Sequence, residues 1–142
     1  LPAVHRGLEK AQRHRDDFIL QINAIVITGE DDAAIAAATD SVKQLLGFYA
    51  STPAYRPPMA AVGYEDLQPE LNRLSKEGQW DSLADHIDDD FVAAFCTRGR
   101  PDEIPGLLRE RYGAVADRLA IYAPYAAPDA MWRGIIGALK AG

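Results

Sequence analysis

The chain has 142 residues, 48% of them hydrophobic and 25% charged, which suits one globular core and a single domain. Its formal charge of −6 argues against a nucleic-acid binder, which needs a basic face to displace condensed counterions; Arg6, Lys10, Arg13 and Arg15 have no aromatic residues among them and read as a solvated helix face. No apolar run is long enough to span a membrane, Leu1 opens no signal-peptide pattern, and the lone Cys96 can form no intrachain disulfide, so the expected compartment is the cytoplasm.

Pro2 to Arg13 carries Leu1, Val4, Leu8 and Ala11 at helical spacing and predicts a first helix. An apolar helix face at the first residue suggests a segment of a longer polypeptide. Phe18 to Ile27, β-branched and aromatic and ending at Thr28-Gly29, is the clearest strand. Gln21 and Asn23 share its alternating face with Ile19, Ile25 and Ile27; that face is expected to look into a barrel, where polar groups need partners. Glu30, Asp31 and Asp32 put carboxylates on the first turn of the next helix, where they complement its dipole, and Ile35, Val42, Leu45, Leu46 and Tyr49 form its buried stripe.

Pro53, Pro57 and Pro58 break regular structure between Ala50 and Gly63, and a helical and loop insertion is expected around residues 50–90. Within it, Leu67, Leu71 and Leu74 mark a helix that Gly78 ends as a left-handed cap. Trp80 to Ile87 and Asp90 to Ala94 read as short helical pieces, followed by a short strand over Phe95 to Thr97. Asp102 is the expected N-cap of a helix with Ile104, Leu107, Leu108 and Tyr112 inward, closed by Gly113. Arg118 to Ala123 is the last strand. A final helix, capped by Asp129, turns Trp132, Ile135, Ile136 and Leu139 inward. Three strand-then-helix units call for parallel strands, and three are too few to stand alone comfortably, so the missing partners point to a larger barrel.

Two stretches carry chemical promise. In Thr97-Arg98-Gly99-Arg100-Pro101-Asp102-Glu103, a glycine and two guanidiniums sit before a helix N-terminus, the outline of an anion site. The alternative is a surface loop whose arginines pair with Asp102, Glu103 or the run from Asp88 to Asp90. In Phe48 to Pro57, two tyrosines, two hydroxyls and an arginine fall within a short loop that covers either a planar ligand or a partner subunit, or is an ordered connection with buried rings and stiffening prolines. Tyr122, Tyr125, Trp132 and Arg133 around the last strand's end read as core or interface packing. The three histidines are not at metal-ligand spacing, and the acidic turn Asp85 to Asp90 lacks the glycine and ligand periodicity of a calcium loop, so no metal site is expected. There is no serine elbow, Cys-His pair or GxGxxG, and no catalytic acid or base is identified.

With its elements in this order, the chain resembles the C-terminal part of the bacterial-luciferase-like superfamily, specifically its deazaflavin (coenzyme F-420)-dependent oxidoreductases. The residues that carry the resemblance are Phe18 to Thr28 with Glu30-Asp31-Asp32, Phe48-Tyr49-Ala50-Ser51-Thr52-Pro53-Ala54-Tyr55, Phe95 to Glu103 with its Gly-x-Pro-Asp-Glu core, and Asp117 to Pro124. The family commonly has Thr or Ser between that glycine and proline; here the position is Arg100.

The resemblance implies an α/β fold in which residues 1–142 are the last strand-helix units of a TIM-type (β/α)8 barrel. It implies hydride transfer between deazaflavin coenzyme F-420, or alternatively FMN, and a small organic substrate. Arg98, Gly99 and Arg100 would then bind the cofactor's anionic part, and Ser51, Thr52, Tyr55 and Arg56 the substrate. With the rest of the cofactor's cradle on earlier strands, the segment alone is expected to be inactive. Its parent is expected to be homo-oligomeric. The rival reading is a small non-catalytic α/β module that self-associates or binds a partner through exposed helix faces, covering its open sheet edges.

Overall fold

The computed structural model describes residues 2–141. Three strands, β1 (Gln21–Ile27), β2 (Cys96–Arg98) and β3 (Arg118–Tyr122), form one parallel sheet in the order β2-β1-β3. Ile25 is the shared rung, opposite Cys96 on one side and Tyr122 on the other. Seven helices accompany them: α1 (Pro2–Lys10), α2 (Asp32–Ser51), α3 (Arg56–Ala60), α4 (Leu67–Lys76), α5 (Asp89–Phe95), α6 (Ile104–Tyr112) and α7 (Asp129–Ala141). The 3-10 turns Arg15–Asp17, Pro53–Tyr55 and Trp80–His86 join some of them.

The alternation of side chains along β1 divides the core in two. Ala24 and Val26 face Ile104 and Leu108 of α6 and Met131 and Ile135 of α7. Ile25 and Ile27 face the other way, onto Val42 and Leu46 of α2, Met59 of α3 and Phe91 and Val92 of α5. A parallel strand needs cover on both faces, and β1 has it. Each aliphatic side chain withdrawn from water in this way contributes roughly 1.5–3 kcal/mol.

The strand order departs from expectation. Consecutive units of a barrel would lie in the order of the chain, whereas here β1 lies between β2 and β3. Composition gives the reason. β1 is the longest and most apolar strand, β2 has only three residues, and no residue of β3 is fully buried, so burial is greatest with β1 in the middle. The crossover from β1 to β2 runs through α2–α5 on one face, and the return to β3 places α6 on the other, so helices cover both sides.

Local expectations fare unevenly. α2 starts where the carboxylates lie, because Asp31 accepts the Ala34 N–H at 2.8 Å as an N-cap. Gly78, at φ +76°, ends the α4 region in the left-handed conformation. The first helix stops at Lys10 instead of Arg13, with Leu8 buried, Val4 half-buried, Ala11 exposed and Leu1 outside the described residues. β1 begins at Gln21, leaving Ile19 55% exposed. The proline-rich stretch is a 3-10 turn and a short helix, since Pro57 and Pro58 occupy first-turn positions of α3 where no N–H is missed. Asp102 does not cap α6; the Glu103 carboxylate accepts the Arg100 N–H at 2.7 Å instead. On α7, Ile136 is exposed and Met131 takes the inward place.

Candidate functional site

The C-terminal part of α2 and the turn after it wall a cavity of about 290 Å³ against the inner face of β1. Its lining is largely apolar: Ile25, Leu46, Met59, Phe91 and Phe95, with Tyr49 and Tyr55 on one side and Asn23 as the one amide. The sequence places these groups together for identifiable reasons. Leu46, Tyr49 and Ala50 recur at helical spacing, and Thr52 ends the helix with its N–H on the Tyr49 carbonyl at 2.9 Å. The Tyr55 N–H then returns to the Thr52 carbonyl at 3.0 Å, which brings the Tyr55 ring back over Tyr49, stacked with centroids 5.1 Å apart. Phe48 continues the aromatic surface to Trp80 at 6.1 Å. Tyr49 titrates above the ordinary tyrosine range, first because of partial burial and second because of the neighbouring Tyr122 hydroxyl.

Asn23 is held by its strand neighbour on the same face: Gln21 Nε2 donates to Asn23 Oδ1 at 3.3 Å. The partners expected for these two polar groups are therefore each other. Asn23 Nδ2 donates to no protein group among the described residues.

Of the four substrate residues expected in this loop, the structure brings only Tyr55 into the cavity wall. Ser51 is buried, and its hydroxyl donates to the Phe48 carbonyl at 2.7 Å. Its own carbonyl accepts from Gln68 Nε2 at 3.2 Å and Asn72 Nδ2 at 2.9 Å, tying α4 to the end of α2. Thr52 is half-buried as the helix cap, and Arg56 lies exposed at the start of α3.

The other expected cluster lies elsewhere. Arg100 donates from Nη2 to Asp32 Oδ1 at 2.6 Å and from Nη1 to the Glu30 carbonyl at 3.1 Å, so it fastens the start of α6 to the start of α2. Arg98 stands 3.8 Å from Asp89, which Lys43 also contacts at 3.2 Å and holds below the ordinary carboxylate range. Gly99 donates its N–H to the Ile27 carbonyl at 3.1 Å, and a Cβ there would meet Leu107 Cδ1 at 2.9 Å. Carboxylates already occupy this corner, as the surface-loop reading of the motif has it. Asp32 and Tyr49 sit near opposite ends of α2, so at 1.5 Å per residue the two clusters are about 25 Å apart.

Around the end of β3, packing prevails. Tyr125 rests against Trp132 with ring centroids 6.2 Å apart, and its hydroxyl binds only backbone of β1. Sequence reasoning did not single out Asn23, Met59, Phe91 or Phe95 as site residues. The signal for Asn23 was present in its polar side chain on an otherwise apolar strand face; the other three are apolar residues indistinguishable by type from core. Among the described residues, no group of three or more histidine, cysteine or acidic side chains could hold a metal ion, and no helix is long and apolar enough to cross a membrane.

Comparison with known proteins gives the wider context. Residues 1–118 match the sequence profile of the family described as luciferase-like monooxygenase. An uncharacterized protein of Mycobacterium bovis and one of Mycobacterium tuberculosis are each 44% identical to the chain over 119 residues, covering 84% of it. The chain spans only 35% of the length of these relatives. No solved structure matches significantly. A profile that covers most of the chain, together with relatives this similar over most of its length, places it in the luciferase-like monooxygenase family.

Proposed function

We propose that the chain is the C-terminal portion of a longer flavin- or deazaflavin-dependent oxidoreductase, a (β/α)8 barrel in its complete form, which moves a hydride to or from a small organic substrate. The observation that carries this reading is the aromatic-walled cavity between β1 and α2 in a chain of this family. Its stacked tyrosines and apolar floor suit a flat, weakly polar molecule and exclude water from it.

The chain's own residues do not cradle a whole cofactor. Arg98 and Arg100 are engaged by carboxylates, and the separation along α2, about 25 Å, exceeds the reach of one flavin nucleotide from the tyrosines to the arginines. On this reading the segment supplies substrate contacts, the remaining polypeptide holds most of the cofactor, and residues 1–142 alone are inactive. FMN and coenzyme F-420, titrated separately into the longer protein and into the 142-residue chain and followed by absorbance, test this. One of the two should bind the longer protein tightly. Equally tight binding by the 142-residue chain would overturn the division of labour, and failure of both cofactors to bind the longer protein would overturn the assignment.

A second reading is favoured by the open edge of β2 and by Phe48 and Trp80, 50% and 48% exposed: a non-catalytic module that self-associates. Light scattering separates them, because that reading requires a dimer or larger species at micromolar concentration.

A further inference from the structure

We infer that the cavity between β1 and α2 selects an uncharged, mainly apolar molecule bearing one hydrogen-bond acceptor, which Asn23 Nδ2 receives. This deepens the oxidoreductase reading by naming a substrate class. It rests on that reading only for the claim that the occupant is a substrate.

Three observations support it. No lysine, arginine or histidine lines the cavity, so a carboxylate or phosphate entering it would lose its hydration with no cation in return. Arg56, next in sequence to Tyr55, belongs to the exposed start of α3 and is not among the lining residues. The apolar walls are contributed by several elements, Ile25 from β1, Leu46 from α2, Met59 from α3 and Phe95 from α5, and the volume of about 290 Å³ suits a single substituted ring.

Polarity comes chiefly from Asn23, and its sense is set by Gln21. Because Gln21 Nε2 occupies Asn23 Oδ1 at 3.3 Å, the amide presents its N–H groups as the free function. A free donor in an apolar setting favours a ketone, aldehyde or ether oxygen and discriminates against the hydrocarbon of the same shape, which would leave the donor unpaired. The tyrosine hydroxyls do not alter that sign, since Tyr49 stays protonated well beyond neutral pH.

The test uses the 142-residue chain, labelled with nitrogen-15, and three probes of similar shape: acetophenone, ethylbenzene and benzoate. Acetophenone should move the Asn23 side-chain amide resonances and bind about tenfold more tightly than ethylbenzene, the factor expected for one neutral hydrogen bond. Benzoate should cause no shift. Asn23→Leu, at an exposed position, should remove the preference for the ketone while leaving ethylbenzene affinity unchanged. Benzoate binding as well as acetophenone, equal affinity for ketone and hydrocarbon, or absence of binding by either neutral probe would each overturn the proposal. The probe series on the unsubstituted chain decides the matter even if the variant fails to fold. Cofactor titration of the longer protein is a separate measurement, so failure of the oxidoreductase assignment remains distinguishable from failure of this one.

Discussion

The hydroxyl of Tyr125 accepts the backbone N–H of Thr28 at 2.9 Å and donates to the carbonyl of Val26, also at 2.9 Å. The loop after β3 is thereby pinned to the end of β1, where the strand leaves its sheet ladder and its backbone groups lack other partners. Burial of the hydroxyl raises its pKa and keeps it a donor. Tyr125→Phe keeps the ring against Trp132 but strands two backbone groups, one of them in the nearly inaccessible segment Val26–Thr28. The variant should lose about 1–3 kcal/mol of unfolding free energy in urea. An unchanged midpoint would show that water replaces the hydroxyl.

Gly47 is where α2 meets the 3-10 turn Trp80–His86. A Cβ at that position would lie 2.8 Å from Leu83 Cβ and 3.0 Å from the Leu83 carbonyl carbon and oxygen. The obstacle is partly backbone, so a side chain cannot simply rotate away. Gly47→Ala gains helix propensity of about 1 kcal/mol but forces the turn outward, and overpacking of this kind costs about 1–3 kcal/mol. The expected net effect is destabilisation, read from thermal unfolding. Stabilisation would mean that the turn is free to move off the helix.

How much of this was legible in the sequence depends on the range of the interaction. Helix periodicity and caps act over a few residues, so the stripe Val42–Leu46 and the Asp31 cap emerge directly from sequence. The strand order does not, because it depends on how three short strands compete for the most sheltered position, and nothing within four residues of Cys96 records that β1 lies between β2 and β3. The arginines illustrate the same limit at the candidate site. Arg98-Gly99-Arg100 is suggestive by itself, yet the engagement of Arg100 by Asp32 spans 68 residues and appears only when α2 and α6 come together. Asn23 was visible as a polar residue on an apolar face, but its role at a cavity required Tyr55 and Phe95 from distant elements.

Asp117 gives stability a defined dependence on acid. Its Oδ2 accepts the Leu20 N–H at 2.7 Å and an Arg15 Nη2 hydrogen at 2.8 Å, and these two contacts, the backbone one first, lower its pKa. A carboxyl with a folded pKa below its unfolded value binds fewer protons when folded. Its contribution is therefore fully present above the unfolded value, about 3.9, and disappears as pH falls through the folded one. Denaturation monitored between neutral pH and strong acid should show a shallower acid limb for Asp117→Asn than for the unsubstituted chain. Superimposable acid limbs would mean that the entry to β1 and the entry to β3 are not joined through this group.

Cys96 opens β2, is 3% exposed, and has a thiol pKa raised to about 11, chiefly by burial and against the opposing influence of Arg111 and Arg98. Arg111 donates to the Cys96 carbonyl at 2.6 Å and also to the carbonyls of Ala93 and Ala94, closing the backbone around the thiol. At pH 8 a group titrating near 11 is about one part in a thousand thiolate, whereas an ordinary cysteine titrating near 8.5 is about one quarter ionised. Restricted access slows attack further. Alkylation by iodoacetamide, followed by mass spectrometry at pH 8, should be slower in the native chain than in urea by on the order of a hundredfold or more. Arg111→Ala should raise the native rate despite removing a positive charge that lowers the thiol pKa, because opening the edge of β2 restores solvent and relieves the larger effect, burial. A native rate equal to that of the unfolded chain would show that β2 detaches from β1 in solution, and with it the wall that α5 contributes to the cavity.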